Sequence, residues 1–159
     1  MKNKILVFLF AILLFLTGCK NTDKKSNLPS HDDMMAKAAR SEKNGWIIVH
    51  LEGSPEVIGY QHGYLLANEI IDLKGALSVL NERQTGKNWN FYREESYRLF
   101  WNKTPKEYQA EMGGIVKGVN AKLGEGTTDI YDLVAINSNL EMAGYYVRWR
   151  WSAEYASGA

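Results

Sequence analysis

Cysteine is almost missing from this sequence: Cys19 is the only one among 159 residues. A lone cysteine excludes an internal disulfide and a cysteine-built metal cluster. Histidine is nearly as scarce. His31, His50 and His62 stand far apart, so no pair has metal-ligand spacing, and neither a metal site nor a cofactor is expected. An excess of one charge is also missing. Nineteen basic and eighteen acidic residues leave a net charge of +1, which offers a nucleic acid no electrostatic footing. Long apolar runs are absent except for Ile5 to Leu16, which is shorter than the roughly 20 residues of a membrane span.

That single run is informative. Lys2 and Lys4 precede it, and Leu16-Thr17-Gly18-Cys19 closes it. A basic start, an apolar stretch and a small-residue end make a secretory signal. The Leu-x-Gly-Cys ending resembles the bacterial lipobox, which implies cleavage before Cys19 and a diacylglycerol on its sulfur. Residues 1–18 are therefore read as a lipoprotein signal peptide. Residues 19–44 are read as a flexible, lipid-anchored tether, because they are polar and lack an apolar period. The expected location is the bacterial cell envelope, facing the periplasm or the exterior, with membrane lipid as a partner through Cys19. Residues 45–159 form the body. Five Trp, nine Tyr and five Phe are many for this length, and they imply a substantial core or large surfaces meant to be covered.

The body predicts one strand and about four helices. Gly45 to Gly53 is a β-rich run bounded by glycines. A first helix runs from Pro55 to about Arg83, with Ser54 as cap, Pro55 in its first turn and Gly86 as its stop. Asn90 to Lys103 reads as a second, partly exposed helix. Thr104-Pro105-Lys106-Glu107 has the form of a capping box. It opens a third helix whose apolar stripe is Tyr108, Met112, Ile115, Val119 and Leu123. Gly124 to Thr128 breaks that stripe. A fourth helix restarts at Thr128 or Asp129, with Ile130, Leu133, Val134, Ile136 and Leu140 on its buried side. Tyr145 to Ala159 is an aromatic, arginine-interleaved strand or linker.

Glycines inside helices need a reason, since each costs about 1 kcal/mol relative to Ala. Gly59 and Gly63 are four apart, and so are Gly114 and Gly118. Residues at i and i+4 share a helix face. Two glycine faces allow two backbones to approach more closely than the usual 8–10 Å. The first and third helices are therefore expected to cross at these four positions. His62 lies on another face, where a lone histidine is more often structural than catalytic.

Three stretches resemble one family. "GSPEVIGYQHG", Gly53 to Gly63, is similar to the amino-terminal signature of the penicillin acyltransferase-like C45 hydrolases and of the phospholipase B-like proteins. "EMGGIVKGVN", Glu111 to Asn120, resembles that family's Gly-Ile-x-x-Gly helix. "TDIYDLVAINSNLEM", Thr128 to Met142, resembles its helix carrying Asp-Ile/Leu-x-x-Leu-x-x-Asn-x-x-x-Glu. The order and approximate spacing also fit. The resemblance implies an α+β fold, the αββα sandwich of N-terminal-nucleophile hydrolases, of which this chain carries the mostly helical front part. It also implies a precursor that cuts itself before a cysteine. The freed cysteine is the nucleophile, its own α-amino group is the base, and the substrate is an acyl amide or ester.

No cysteine follows Cys19, so the family nucleophile is not in this chain and no catalytic residue is assigned. The chain is expected to be the amino-terminal (α) segment of a self-processing, lipid-anchored hydrolase or acyltransferase. It would be inactive without a downstream (β) segment as partner. Asn137 and Glu141 lie one turn apart and are the leading candidates for holding substrate or the processing site; Tyr60 and His62 are weaker ones. The alternative is a non-enzymatic helical surface lipoprotein that binds a partner or ligand.

Overall fold

The computed structural model describes residues 29–142 and 144. The expected signal peptide, the lipidation candidate Cys19 and the aromatic stretch from Tyr145 onward lie outside the described residues. The fold is mostly helical with one two-stranded antiparallel sheet, an α+β arrangement.

Regular structure starts earlier than the composition implies. Helix α1 (His31–Met35) is capped by Ser30, whose hydroxyl accepts from the Asp33 amide. Strand β1 (Ala39–Lys43) pairs with β2 (Trp46–His50) in the register Ala39 to His50 and Lys43 to Trp46. The turn between them is Asn44-Gly45, both at positive φ, as a tight hairpin requires. Residues 31–35 and 39–43, within the stretch read as a tether, are thus in regular structure. Long-range contacts order them. The Arg40 guanidinium donates to the Leu65 carbonyl and pairs with Glu42 and Glu69, and the buried Gln61 amide donates to the Met34 carbonyl.

The expected first helix is two helices, α2 (Pro55–Leu65) and α3 (Ala67–Thr85). Leu66 breaks them at φ −117° and ψ 25°. The two halves answer to different partners: α2 packs chiefly on α5 (Lys106–Leu123), whereas α3 also leans on α6 (Ile130–Asn137). Gly86 ends α3 in the left-handed conformation, which a Cβ would disfavour. Next come α4 (Trp89–Phe100), capped by the Asn88 side chain, and a 3₁₀ turn, Trp101–Lys103. The expected capping box at Thr104 does not form. Helix α5 starts one residue later, from Pro105, and the Thr104 hydroxyl donates to the Phe100 carbonyl instead. Asp129 caps α6 through the Asp132 amide.

Helices α2 and α5 cross on the four glycines. A Cβ on Gly59 would strike the Glu111 carbonyl, and one on Gly63 the Ile115 carbonyl. Reciprocally, Cβ atoms on Gly114 and Gly118 would strike the Glu56 and Tyr60 carbonyls. Ala67, Ile115, Val119 and Leu133 form the core beside this crossing, with Ile70, Ile71, Met112 and Val116 packed against them. Tyr108 and Leu123, at the ends of the third helix's stripe, stay exposed.

A buried ionic knot ties α6 to its neighbours. Asp132 Oδ1 accepts from Trp89 Nε1 at 2.8 Å and from an Arg93 guanidinium nitrogen at 3.0 Å. Its Oδ2 accepts from Lys74 Nζ at 3.0 Å and from the Thr128 hydroxyl at 3.2 Å. Four donors from three other places in the chain converge on one carboxylate that is 1% exposed.

The fourth helix is also interrupted. Ser138 sits at φ −98° and ψ 11°, and helix resumes over 139–142. The break rotates the following face. Leu140, expected on the buried side, is 83% exposed, while Met142 is 1% exposed.

Candidate functional site

A cleft of about 540 Å³ opens beside the glycine crossing. Every long helix except α4 contributes a wall, and α4 supplies its last residue, Phe100. The floor is apolar, formed by Ile70, Met112, Ile115, Leu133 and Val134. The polar lining comes from His62 on α2, Glu111 on α5, Asn137 at the end of α6, and Glu141 beyond the Ser138 break.

The glycines explain why His62 reaches this place. With no side chains in the seam, α2 lies directly on the α5 backbone, so His62, next to Gly63, lines the same cleft as Glu111. Burial pushes the His62 pKa below the ordinary histidine value, and the Glu111 carboxylate opposes that shift only in part. The imidazole is therefore neutral near pH 7. It offers one N–H donor and one lone pair, the form suited to accepting a proton.

Asn137 donates from Nδ2 to the Leu133 carbonyl at 2.8 Å, one turn back on its own helix. Glu141 is exposed at the rim. Tyr60 is not part of the cleft. Two residues along a helix is about 200° of rotation, so Tyr60 and His62 face nearly opposite ways. The Tyr60 hydroxyl hydrogen-bonds to His31 Nδ1 at 2.8 Å, and its ring stacks 6.2 Å from that of Tyr64. It holds α1 against α2, and burial pushes its phenol above the usual value.

Two groups escaped the sequence reading. Glu111 belongs to a quoted motif, and its place three residues before Gly114, in the crossing seam, is the signal that marks it. Asp132 had no such signal, because three of its four partners, Lys74, Trp89 and Arg93, lie 39 to 58 residues away in α3 and α4.

The serine and threonine hydroxyls in the cleft are already committed. Ser138 donates to the Val134 carbonyl at 2.8 Å and Thr104 to the Phe100 carbonyl at 3.0 Å. Neither is set against His62 as an activated nucleophile would be. Among the described residues no three His, Cys, Asp or Glu converge as metal ligands. The cleft can thus bind an apolar group, hydrogen-bond a polar one, and accept or hold a proton.

No family model, curated protein or solved structure matches this chain. The geometry of the cleft is what a functional reading has to build on. Among the described residues no helix is long and apolar enough to cross a membrane.

Proposed function

We propose that this chain is the amino-terminal segment of a self-processing, lipid-anchored hydrolase or acyltransferase of the C45 or phospholipase B-like type, acting on acyl amides or esters. The observation that carries the reading is the convergence of the three family-like motifs on one cleft. The first contributes His62, the second Glu111, Met112 and Ile115, and the third Leu133, Asn137 and Glu141.

In this reading the helices are one outer layer of an αββα sandwich, and the nucleophilic cysteine with its α-amino base belongs to the downstream segment. His62, Glu111, Asn137 and Glu141 bind and orient the substrate or the processing site. Exposed apolar groups support the reading. Trp46, Ile47 and Ile48 on β2, and Leu73, Val79 and Leu80 on α3, are each at least 41% exposed, a surface suited to burial against further strands. The lipidated Cys19 would hold the enzyme at the envelope.

The test is to read the coding DNA past the Ala159 codon and express the whole frame. The expected result is an open frame with a cysteine within a few residues, β-rich sequence after it, and a mature protein whose second chain begins at that cysteine. Glu141→Gln in that protein is expected to slow self-cleavage or turnover. A stop codon at that point overturns the reading and leaves a helical surface lipoprotein that works by binding.

A further inference from the structure

The lining of the cleft is asymmetric in charge. Two carboxylates, Glu111 and Glu141, line it, and among the described residues no lysine or arginine does. The rest of the polar lining is His62, which burial keeps neutral near pH 7, the amide of Asn137, and the hydroxyls of Thr104, Tyr108 and Ser138. The lining between them is hydrocarbon or aromatic, from Ile70, Leu73, Phe100, Met112, Ile115 and Leu133. The volume of about 540 Å³ falls in the range of roughly 300–1,000 Å³ typical of small-molecule sites.

We propose that this cleft binds a small amphiphile with an aliphatic body and a cationic end, an amine or quaternary ammonium, and that it discriminates against the corresponding anion. The aliphatic part is buried against Ile70, Met112 and Leu133, where each methylene removed from water contributes about 0.8 kcal/mol. The cation sits toward Glu111 and Glu141, with the Phe100 and Tyr108 rings as further cation-attracting faces. An anionic head there meets two like charges and, among the described residues, no countercharge. As a statement about substrate, the inference rests on the hydrolase reading and narrows it to acyl compounds that carry a positive group.

The test is direct binding to the full chain, followed by isothermal titration calorimetry. The probes are decyltrimethylammonium, decyl sulfate and decanol, each kept below its micelle-forming concentration. Decyltrimethylammonium is expected to bind about tenfold more tightly than decyl sulfate, a preference that shrinks with added salt. The double variant E111Q/E141Q is expected to lose roughly tenfold affinity for the cation and little for decanol. Both side chains reach solvent, so the variant keeps its fold; the salt dependence of the unaltered chain is a second readout that needs no variant. Equal or tighter binding of decyl sulfate, no binding of the cation, or a cation preference that survives in E111Q/E141Q overturns the proposal. Binding that appears only in R148A/R150A also overturns it, and assigns the cleft to the chain's own arginine-rich segment 145–159. Failure of binding leaves self-cleavage standing, and a stop codon after Ala159 leaves the binding result standing, so the two readings fail separately.

Discussion

Replacing Gly63 with alanine adds one methyl group at the α2–α5 crossing. The new Cβ would lie well inside 3.0 Å of the Ile115 carbonyl oxygen and carbon, a separation that real Cβ atoms essentially never show. The obstacle is backbone, so no side chain can swing aside. The two helices have to part, and the contacts of Ile115 and Val119 along the seam lengthen together. Overpacking of this kind costs typically 1–3 kcal/mol and more where the neighbour cannot yield. Alanine returns up to about 1 kcal/mol through helix propensity. A backbone obstacle places the cost at the upper end of that range, so the expected net loss is about 2 kcal/mol, or a fall in Tm of roughly 8 °C for a domain of this size. Gly113→Ala is the matched control. It lies in the same helix, beside Gly114, but a Cβ there meets nothing within 4 Å. It should leave stability unchanged or raise it by up to about 1 kcal/mol. Thermal and urea unfolding of the two variants, followed by far-UV circular dichroism, decides the matter. If Gly63→Ala melts within a degree or two of the unaltered protein, or Gly113→Ala loses as much as Gly63→Ala, the close-packed seam is not what stabilises this fold.

Asp132→Asn leaves Lys74 and Arg93 without their shared carboxylate. Both cations are about a quarter exposed, so the loss should be about 2–3 kcal/mol, below that of a fully buried pair, and urea unfolding measures it. Burial raises the pKa of Asp132, but the hydrogen bonds from Trp89 and Lys74, with the charges of Lys74 and Arg93, outweigh it and hold the group below its usual range. A lowered carboxylate pKa means stability present above about pH 4 and lost as pH falls through the folded-state value, so the Asn variant should show a flatter acid limb. His62 acts higher on the same pH axis, through a group that is charged when protonated. Its folded pKa is depressed by burial, so below about pH 6.5 the unfolded chain binds a proton that the folded chain resists. Stability should fall from there toward the lower folded-state pKa, and His62→Gln should remove that slope in a pH series of unfolding midpoints. An unchanged slope in the variant would assign the pH dependence elsewhere.

Much of this structure was legible from local chemistry. Proline at the start of α2, glycine at the end of α3, Asp129 at the cap of α6 and the apolar stripe of α5 all act within one or two turns of chain, so the sequence displays them directly. The paired glycines were legible too, because their four-residue spacing has a cost inside a helix that only a close neighbour repays. Asn137 and Glu141 were read together as one turn of one helix, His62 as a separate candidate, and all three line one cleft. The arrival of His62 beside the other two was beyond the sequence, since it depends on the angle at which α2 lies across α5.

By itself the sequence determined the helical segments, the seam on which two of them cross, and the near-absence of residues for disulfides or metal clusters. Only the tertiary structure decided the rest. A polar stretch, Ala39–Lys43, became a strand because the Asn44-Gly45 turn folds it onto β2 and Arg40 reaches α2 and α3. One periodic helix became two at Leu66, where the halves pack on different partners, and another broke at Ser138. Tyr60 turned from the cleft to His31, and Leu140 turned to solvent. Asp132 became the most heavily bonded side chain of α6 through partners in α3 and α4. These outcomes share one physical reason: periodicity and capping are set by neighbours a few residues away, whereas burial, breaks and charge pairing are set by groups that only the completed packing brings within reach.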